Sequence, residues 1–162
     1  RDLGFSFTNS VTKKKKARFP DYKYFPVVHR KKRTKLKEKL RALTDRRAIG
    51  GIDAVKAKLR LALKGWSNYF KKAVPVWWRI KTDSWLHRRI RQLLWKQWKK
   101  PRTRYRMLRA LKCEHWVARE MIRCRKGYWR MAQVIGSVFK NEIVVKLGYM
   151  SMFDYYLIVR EN

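Results

Sequence analysis

The sequence has few acidic residues, few cysteines and no extended apolar stretch. It contains 11 Asp and Glu among 162 residues, against 44 Lys and Arg, and its formal net charge is +33. No two carboxylates are adjacent, and no Gly-rich loop of the Walker type is present. Because enzymes need positioned acids, bases or metal ions, this composition predicts no catalytic residue, no metal site and no cofactor in the chain itself.

The low cysteine count and the short apolar stretches indicate the cellular compartment of the protein. Two cysteines are too few for a disulfide scaffold, and Cys113, His115 and Cys124 do not have the spacing of a zinc site. The uncharged stretches are far shorter than the ~20 apolar residues that span a membrane, and the N-terminus has no signal-peptide pattern. We therefore expect a reducing, cytoplasmic location and no membrane partner. The first residue is not Met, which indicates a piece of a longer protein.

The isolated polar residues that could carry chemistry have structural interpretations. Asp53 and Asp83 (or its neighbour Thr82) are predicted to be helix N-caps. The three histidines are far apart in sequence. His87 stands beside two arginines, so we expect it to face solvent or RNA and not to act as a base.

Apolar side chains are nevertheless abundant. The chain is 46% hydrophobic, and 14% of its residues are aromatic. Disordered basic tails lack this content, so we predict a folded chain with a real core. A charge of +33 costs stability through self-repulsion, and the commonest reason to keep it is a polyanionic partner. Nucleic acid fits best, because each neutralised phosphate releases counterions, and an anionic membrane surface is the alternative.

Hydrophobic periodicity predicts a mainly α fold after a short β segment. Leu3, Phe5 and Phe7 alternate as in a strand, and Asp21–Val28 is predicted to form a hairpin or an edge strand, with an exposed basic turn at residues 13–16. Apolar residues at helical spacing predict helices at 35–47, from Asp53 to Pro75, from Asp83 to Pro101, and at 104–111, 114–123, 136–147 and 151–159. Ser151 and Asp154 fit a capping box at the last of these. A joint at residues 74–81 is predicted to separate two helical subdomains.

Basic residues interleaved with aromatic residues form three clusters. They lie at residues 13–18 with 29–33, at 95–106 and at 123–130. Guanidinium groups donate forked hydrogen bonds to phosphate, and aromatic rings stack on unpaired bases, so the clusters indicate RNA binding. The residues expected to contact RNA are Arg88, Arg89, Lys96, Lys99, Lys100, Arg102, Arg104, Arg106, Arg125, Lys126 and Arg130.

The tryptophans and two glycines are assigned to the fold and not to the ligand. At least one of Trp77 and Trp78 is expected to be partly exposed. Gly65 and Gly127 are expected to allow close packing or a tight turn. The tryptophans expected to lie mainly in the core are Trp66, Trp85, Trp95, Trp98, Trp116 and Trp129.

Several segments resemble, in the right order, the C-terminal region of group II intron-encoded reverse transcriptases, also called maturases. Residues 63–70 read LKGWSNYF and resemble the Leu-x-Gly-Trp-x-Asn-Tyr-Phe signature of that family, which here consists of Gly65, Trp66, Asn68, Tyr69 and Phe70. Residues 83–100, with Trp95 and Trp98, and residues 125–130, with Gly127 and Trp129, resemble the segments that follow it. Residues 141–142, 147–149 and 154–156 resemble its closing elements, and residues 3–7 resemble the strand that ends the palm.

The resemblance implies a division of the chain and a role. Residues 1–29 would be a palm-terminal β segment, residues 30–74 the start of a helical thumb, and residues 75–162 the rest of the thumb with the maturase-specific domain. In this family the region binds its own group II intron RNA, from a bacterial mobile element, and stabilises the splicing-competent fold. Within a full-length reverse transcriptase it would also contact an RNA–DNA duplex. The chemistry of splicing belongs to the RNA and its metal ions.

The departures from the family pattern leave alternatives open. The Tyr-x-Asp-Asp motif, the fingers and the Cys- and His-rich endonuclease module are missing, so no polymerase activity is expected from this chain alone. We expect either a C-terminal piece of a larger enzyme or a truncated gene product. The alternatives are a generic binder of structured RNA and the thumb of an active RNA-directed DNA polymerase. A cationic membrane-active protein is the least favoured.

Overall fold

The computed structural model of the protein describes residues 4–9, 24–45 and 51–161. The predicted basic turn at residues 13–16, the cations of residues 13–18 and the predicted end of the first helix at Arg47 lie outside these ranges. Within them the chain is mainly helical and carries a short antiparallel sheet at its N-terminal side. The predicted fold class is therefore confirmed.

The sheet consists of two short strands. Strand β1, Phe5–Thr8, pairs antiparallel with β2, Phe25–Val28, and Phe5 lies opposite Val28. Pro26 is tolerated within β2 because each strand of a two-stranded sheet has an edge on which no ladder hydrogen bond is needed. The predicted hairpin is thus present.

Eight α-helices follow in the described part of the chain. They are α1 (Arg30–Leu43), α2 (Gly51–Tyr69), α3 (Val76–Gln97), α4 (Pro101–Ala110), α5 (His115–Arg123), α6 (Tyr128–Val134), α7 (Asn141–Lys146) and α8 (Met152–Glu161), with a 3-10 turn at Ile135–Ser137. Sequence periodicity missed α6 and merged the 3-10 turn with α7. The break between the two lies at Lys140, whose extended backbone (ψ 163°) starts a new helix.

The starts of the first three helices, α1, α2 and α3, differ from the sequence predictions. α1 begins at Arg30, because the Nδ1 atom of His29 accepts a hydrogen bond from the backbone N–H of Lys31 at 3.2 Å and caps the helix. α2 begins at Gly51, so Asp53 lies in its first turn and not at its N-cap. α3 begins at Val76 after extended Pro75, so neither Thr82 nor Asp83 caps it.

The predicted joint is also wrong in its position. Residues 76–81 are helical, so the break between α2 and α3 lies at residues 70–75. Aromatic contacts cross this break, since the ring centroids of Trp66 and Trp78 are 5.3 Å apart. The division into residues 1–29, 30–74 and 75–162 stays a prediction.

α3 is the central element of the bundle. Its residues Leu86 and Ile90 have no solvent exposure, and Leu94 is 4% exposed. α3 packs against α6, α7 and α8, while α1 packs on α2, α2 on α8, and α4 on α5. The chain therefore folds around a helix that carries apolar and charged side chains in the same buried surface.

Asp83 caps the last helix, α8, from the middle of α3. Its Oδ1 accepts a hydrogen bond from the Met152 N–H at 2.8 Å, and its Oδ2 accepts bonds from the Phe153 N–H at 2.8 Å and the Ser151 hydroxyl at 2.9 Å. The Ser151 Oγ in turn accepts the Asp154 N–H at 3.1 Å, as the predicted capping box requires. Burial raises the pKa of Asp83 in spite of these hydrogen bonds. Asp83 is thus a helix cap as predicted, but for a helix far away in sequence.

Replacing Asp83 by alanine should destabilise the fold strongly. Asp83→Ala leaves two backbone N–H groups and one hydroxyl of the α8 start without their acceptor, so we expect a loss of about 3 kcal/mol in the free energy of unfolding. Urea unfolding followed by circular dichroism measures it. Asp154→Ala is the control, because Asp154 is exposed in the first turn of α8 and should cost less than about 1 kcal/mol. Equal losses for the two variants would contradict the assigned role.

Candidate nucleic-acid interface

A groove of about 690 Å³ brings the second and third basic clusters together. We call it the cationic groove. Trp95 of α3 lies at its base, and Arg104 of α4 and Arg123 of α5 contribute to its walls. The linker between α5 and α6, residues 124–127, and the first residue of α6, Tyr128, complete it. Two segments that are separate in the sequence thus form one basic surface.

Arg104 is held in place at this groove. Its Nε donates a hydrogen bond to the Trp98 carbonyl oxygen at 2.8 Å, and its guanidinium carbon lies 4.6 Å from the ring centroid of Trp95. The ring of Trp95 is 2% exposed, so it supports the arginine and is not itself open for base stacking. A guanidinium fixed in this way keeps further N–H donors for an anion without needing to order the side chain first.

The cations at the end of α5 and in the linker are exposed to solvent. They are Arg123, Arg125 and Lys126, and Gly127, which precedes α6, is also exposed. In the part of the chain that the structure describes, a Cβ atom at Gly127 would meet no other atom within 4 Å, and the φ of Gly127 is −58°. The prediction that Gly127 serves close packing or a tight turn is therefore wrong. Its missing side chain leaves the groove open.

The other predicted RNA contacts do not line the groove. Lys96 is half-buried at the end of α3. The remaining members of this set are exposed: Lys99, Lys100, Arg102, Arg106 and Arg130. Their contact with RNA stays a prediction.

Arg88 and Arg89 have partners inside the protein. Arg88 donates hydrogen bonds to the Gln133 side chain at 3.0 Å and to the Trp129 carbonyl at 3.2 Å, and it lies 4.0 Å from the centroid of the Trp129 ring. Arg89 donates to the Thr44 hydroxyl at 2.7 Å and to the Arg41 carbonyl at 3.1 Å. These two arginines connect α3 to α6 and α1, and a role in RNA binding would have to come in addition.

Two further arginines were not recognised as buried from the sequence. Arg91 is 8% exposed, and it donates to the Phe139 carbonyl and the Asn141 side chain, each at 3.0 Å. Arg79 is 0% exposed, donates to the Lys71 carbonyl at 2.9 Å and lies 4.4 Å from the Tyr156 ring centroid. Burial lowers the pKa of both guanidinium groups. Periodicity offers no signal for such positions, because an arginine scores as polar wherever it lies.

His87 is buried too, against the sequence expectation that it faces solvent or RNA. It is 3% exposed and lies on the inner side of α3. Burial, followed by the charge of Arg91, lowers its pKa to about 4. The imidazole is therefore neutral near pH 7 and belongs to the packing of the bundle.

The signature residues at 63–70 form a packed aromatic cluster and leave Tyr69 exposed. Trp66 and Phe70 have ring centroids 4.8 Å apart, and Phe5 of the hairpin lies 5.1 Å from Phe70. Asn68 accepts a hydrogen bond from the Tyr155 hydroxyl at 2.8 Å. Tyr69 is 57% exposed. The signature therefore joins the hairpin, α2 and α8.

Gly65 differs from the packed members of the signature. It is exposed within α2, and no atom of the described residues would lie within 4 Å of a Cβ atom there. The expectation that it allows close packing is wrong. Because a glycine inside a helix costs about 1 kcal/mol relative to alanine, the fold gives no reason for it.

The tryptophans divide between core and surface. Trp95 and Trp98 are buried as predicted, and the Trp98 ring stacks on Phe139 at 6.3 Å. Trp78 is buried and Trp77 is 57% exposed, which confirms that one of this neighbouring pair is open. Trp116 is 67% exposed, so its assignment to the core is wrong. Trp66 and Trp85 are half-buried, and Trp129 is 38% exposed beneath Arg88.

Neither a metal cluster nor a spanning helix is found in the described ranges. Over residues 4–9, 24–45 and 51–161, no three His, Cys, Asp or Glu side chains lie together in a way that could hold a metal ion. None of the described helices is both long and apolar enough to cross a membrane. What the described surface offers is cations beside aromatic rings.

A mainly helical, strongly basic bundle with an open cationic groove defines a class of protein suited to polyanions. A comparison with known protein families gives a more specific result for one part of the chain. Residues 33–111 match the family described as group II intron, maturase-specific domain. The match supports a group II intron maturase role. It contains the signature at residues 63–70 and Arg104, whereas the linker at residues 124–128 lies beyond it. No curated protein matches the chain significantly.

The buried imidazole predicts a specific loss of stability in acid. A histidine whose folded pKa is about 4 instead of 6.5 takes up its proton more readily in the unfolded chain, so the native state loses stability as the pH falls from 6.5 to 4. The loss through His87 should be about 3 kcal/mol. Chemical unfolding of the protein and of His87→Gln across this range measures it.

The difference between the two pH curves isolates the histidine. Asp83, whose raised pKa acts with the opposite sign, contributes to both curves equally. Parallel curves for the protein and the His87→Gln variant would contradict the assigned buried state.

Proposed function

We propose that this chain is an RNA-binding maturase region that binds and stabilises folded group II intron RNA and so promotes splicing. The observation that carries the proposal is the cationic groove, where Arg104, Arg123, Arg125 and Lys126 come together from two segments of the chain. The maturase-specific domain match at residues 33–111 supports intron RNA as the polyanion.

The groove would act on RNA through its phosphates. Arg123 and Arg125 offer forked N–H donors that match phosphate oxygens, and Lys126 adds a point charge beside them. Each phosphate neutralised releases condensed counterions, which supplies most of the affinity. The half-buried Tyr128 and the exposed Gly127 leave room for an RNA strand to enter the groove. Contacts with sugars and bases would then add recognition of RNA shape to the electrostatic attraction.

The same groove is suited to stabilising one RNA fold over others. The internal hydrogen bonds of Arg88, Arg91 and Arg104 hold α3, α4 and α6 in fixed positions, so the surface cations are already spaced before RNA arrives. An RNA whose phosphates match that spacing is bound more tightly than its unfolded form. By mass action, such a ligand shifts the RNA toward the matching fold. The RNA itself would then carry out the splicing chemistry.

The alternatives differ in what they require of the RNA. A generic binder of structured RNA would use the same groove without preferring an intron. A thumb of an RNA-directed DNA polymerase would contact an RNA–DNA duplex and would need catalytic carboxylates from elsewhere in a longer protein. We prefer the maturase, because the family match names that domain.

Removing cations from the groove should weaken RNA binding without affecting the fold. In the double variant Arg125→Gln/Lys126→Gln, we expect at least tenfold weaker binding to a folded group II intron RNA near physiological salt. The dependence of log K on log salt should flatten by about two units, one for each lost phosphate contact. Both residues are exposed, so the melting temperature should stay within about 2 °C. Filter binding over a salt series, with thermal unfolding, measures both quantities.

The matched control is Lys146→Gln, which removes an exposed cation in the last turn of α7, outside the groove. It should leave the affinity within about twofold. An unchanged salt slope in the double variant would remove the groove from the interface.

Competition with transfer RNA tests the preference for intron RNA. At moderate salt, the protein should bind a folded group II intron RNA at least about tenfold more tightly than transfer RNA. Equal affinity for the two would exclude a dedicated maturase and favour the generic binder.

A further inference from the structure

A second groove, of about 510 Å³, lies between α1 and α2 and is separate from the cationic groove. We call it the α1–α2 groove. Its apolar base consists of Leu36 of α1, Ala62 and Trp66 of α2, and Phe70, which directly follows α2. Its two rims have different chemistry, one cationic and one apolar.

Three lysines of α1 form the cationic rim. Lys35 and Lys39 follow Lys32 by three and seven residues, so the three lysines lie on one face of the helix over about 10 Å. Lys35 and Lys39 are exposed. Lys32 belongs to the first basic cluster of the sequence, at residues 29–33, whereas Lys35 and Lys39 lie outside all three clusters.

The hairpin fixes the first lysine of this row. A Cβ atom at Gly4 would lie 2.7 Å from the Cε of Lys32, so the alkyl chain of Lys32 rests on the backbone of Gly4. Gly4 also has a φ of +80°, which favours glycine. The lysine is thus directed along the groove before any ligand binds.

Leu61, Gly65 and Tyr69 of α2 form the apolar rim. They are four residues apart, so they succeed one another along one face of the helix. Leu61 is 74% exposed and Tyr69 is 57% exposed, which is unusual for apolar side chains that border a groove. The Tyr69 ring is held by Phe5 at 5.8 Å and by Phe70 at 4.6 Å, so its exposed face is presented rigidly.

Gly65 stands in the middle of this rim. It is exposed inside a helix, and it destabilises α2 relative to alanine. Within residues 4–9, 24–45 and 51–161, a methyl group at this position would touch no neighbour. The effect of Gly65 is to leave bare helix backbone between two exposed apolar side chains. Such a gap favours a ligand that approaches the helix closely.

We propose that the α1–α2 groove binds an unpaired RNA strand. The phosphates lie along Lys32, Lys35 and Lys39, and the sugars and bases lie on the rim formed by Leu61, Gly65 and Tyr69. The inference rests on the proposed function, to which it adds a second surface and a preference for unpaired over paired RNA at that surface.

The chemistry of the two rims favours a strand over a duplex. A duplex turns phosphates toward a groove of the protein from both strands and hides the faces of its bases. An unpaired strand exposes phosphates on one side and base faces on the other, which matches one cationic rim and one apolar rim. The net charge of +33 favours a nucleic acid over a weakly charged peptide.

The decisive variant is Gly65→Leu, which fills the gap without removing a charge. Its control is Ser84→Leu, which adds an apolar side chain at an exposed position of α3 outside both grooves. The probe is a fluorescent 12-nucleotide RNA without self-complementarity, compared with a 12-base-pair RNA duplex. We expect Gly65→Leu to weaken binding of the single strand about tenfold and to change duplex binding by less than twofold. Ser84→Leu should change neither by more than about twofold.

The fold provides an independent readout of the same variant. Because leucine is a better helix former than glycine, Gly65→Leu should unfold at a melting temperature equal to or above that of the protein. Weaker strand binding by a more stable protein cannot be ascribed to misfolding. Gly65→Ala should raise the melting temperature by about 2 °C and weaken strand binding less than leucine does.

A charge variant tests the lysine rim. Lys39→Gln should flatten the salt dependence of strand binding by about 0.7 units. Lys64→Gln, exposed on α2 but outside the groove, is the control and should flatten it by less than half as much. Equal effects would mean a general electrostatic field and would overturn the assignment of the rim.

The remaining outcomes separate this inference from the proposed function. Unchanged strand binding in Gly65→Leu, equal losses for strand and duplex, or displacement of the strand by polyglutamate at equal charge concentration would each overturn the inference. None of these results bears on the cationic groove, which is tested with Arg125→Gln/Lys126→Gln on folded intron RNA. Conversely, equal binding of intron and transfer RNA would reject the maturase and leave the strand site standing.

Discussion

The guanidinium group of Arg91 lies inside the bundle and is held by oxygen atoms of the surrounding chain. It donates to the carbonyls of Ala132 and Phe139 and to the side chain of Asn141, so one residue of α3 connects the 3-10 turn region with α6 and α7. Arg79 donates to the Lys71 carbonyl between α2 and α3, and Asp83 accepts the Met152 N–H at the start of α8. A chain with 44 basic and 11 acidic residues cannot pair its cations with carboxylates one by one. The buried guanidinium groups of Arg79 and Arg91 donate to backbone carbonyls instead, whose dipoles favour positive charge.

This arrangement determines what the surface can do. The arginines that face inward, together with Trp95 and Trp98, keep α3 and its neighbours in place. The surface cations are then held at defined positions. They lie at residues 123–126 and in the row of Lys32, Lys35 and Lys39. Since self-repulsion among them destabilises the bundle, a polyanion that binds there should also stabilise the fold. Binding and folding are therefore coupled through the same charges.

Much of the fold could be predicted from the sequence. The mainly helical class, the N-terminal hairpin, the burial of Leu36, Leu40, Leu59 and Leu63, and the Ser151 cap follow from spacing and local chemistry. The start of α3, the break at residues 70–75 and α6 were missed. At α3 the local signal of Asp83 as an N-cap was misleading, because its acceptor atoms serve a distant helix. Tertiary contacts of this kind leave no periodic trace in one segment.

The candidate sites show the same division between local and tertiary information. Composition by itself indicated a polyanionic partner, and the motif at residues 63–70 indicated the maturase family whose domain model matches residues 33–111. Only the tertiary structure decided which cations face outward. It turned Arg79, Arg91 and His87 into the core, left Gly65 and Gly127 open, and brought residues 95–104 beside residues 122–128. The physical reason is that charge and residue type are properties of single positions, whereas burial and proximity depend on how the helices pack.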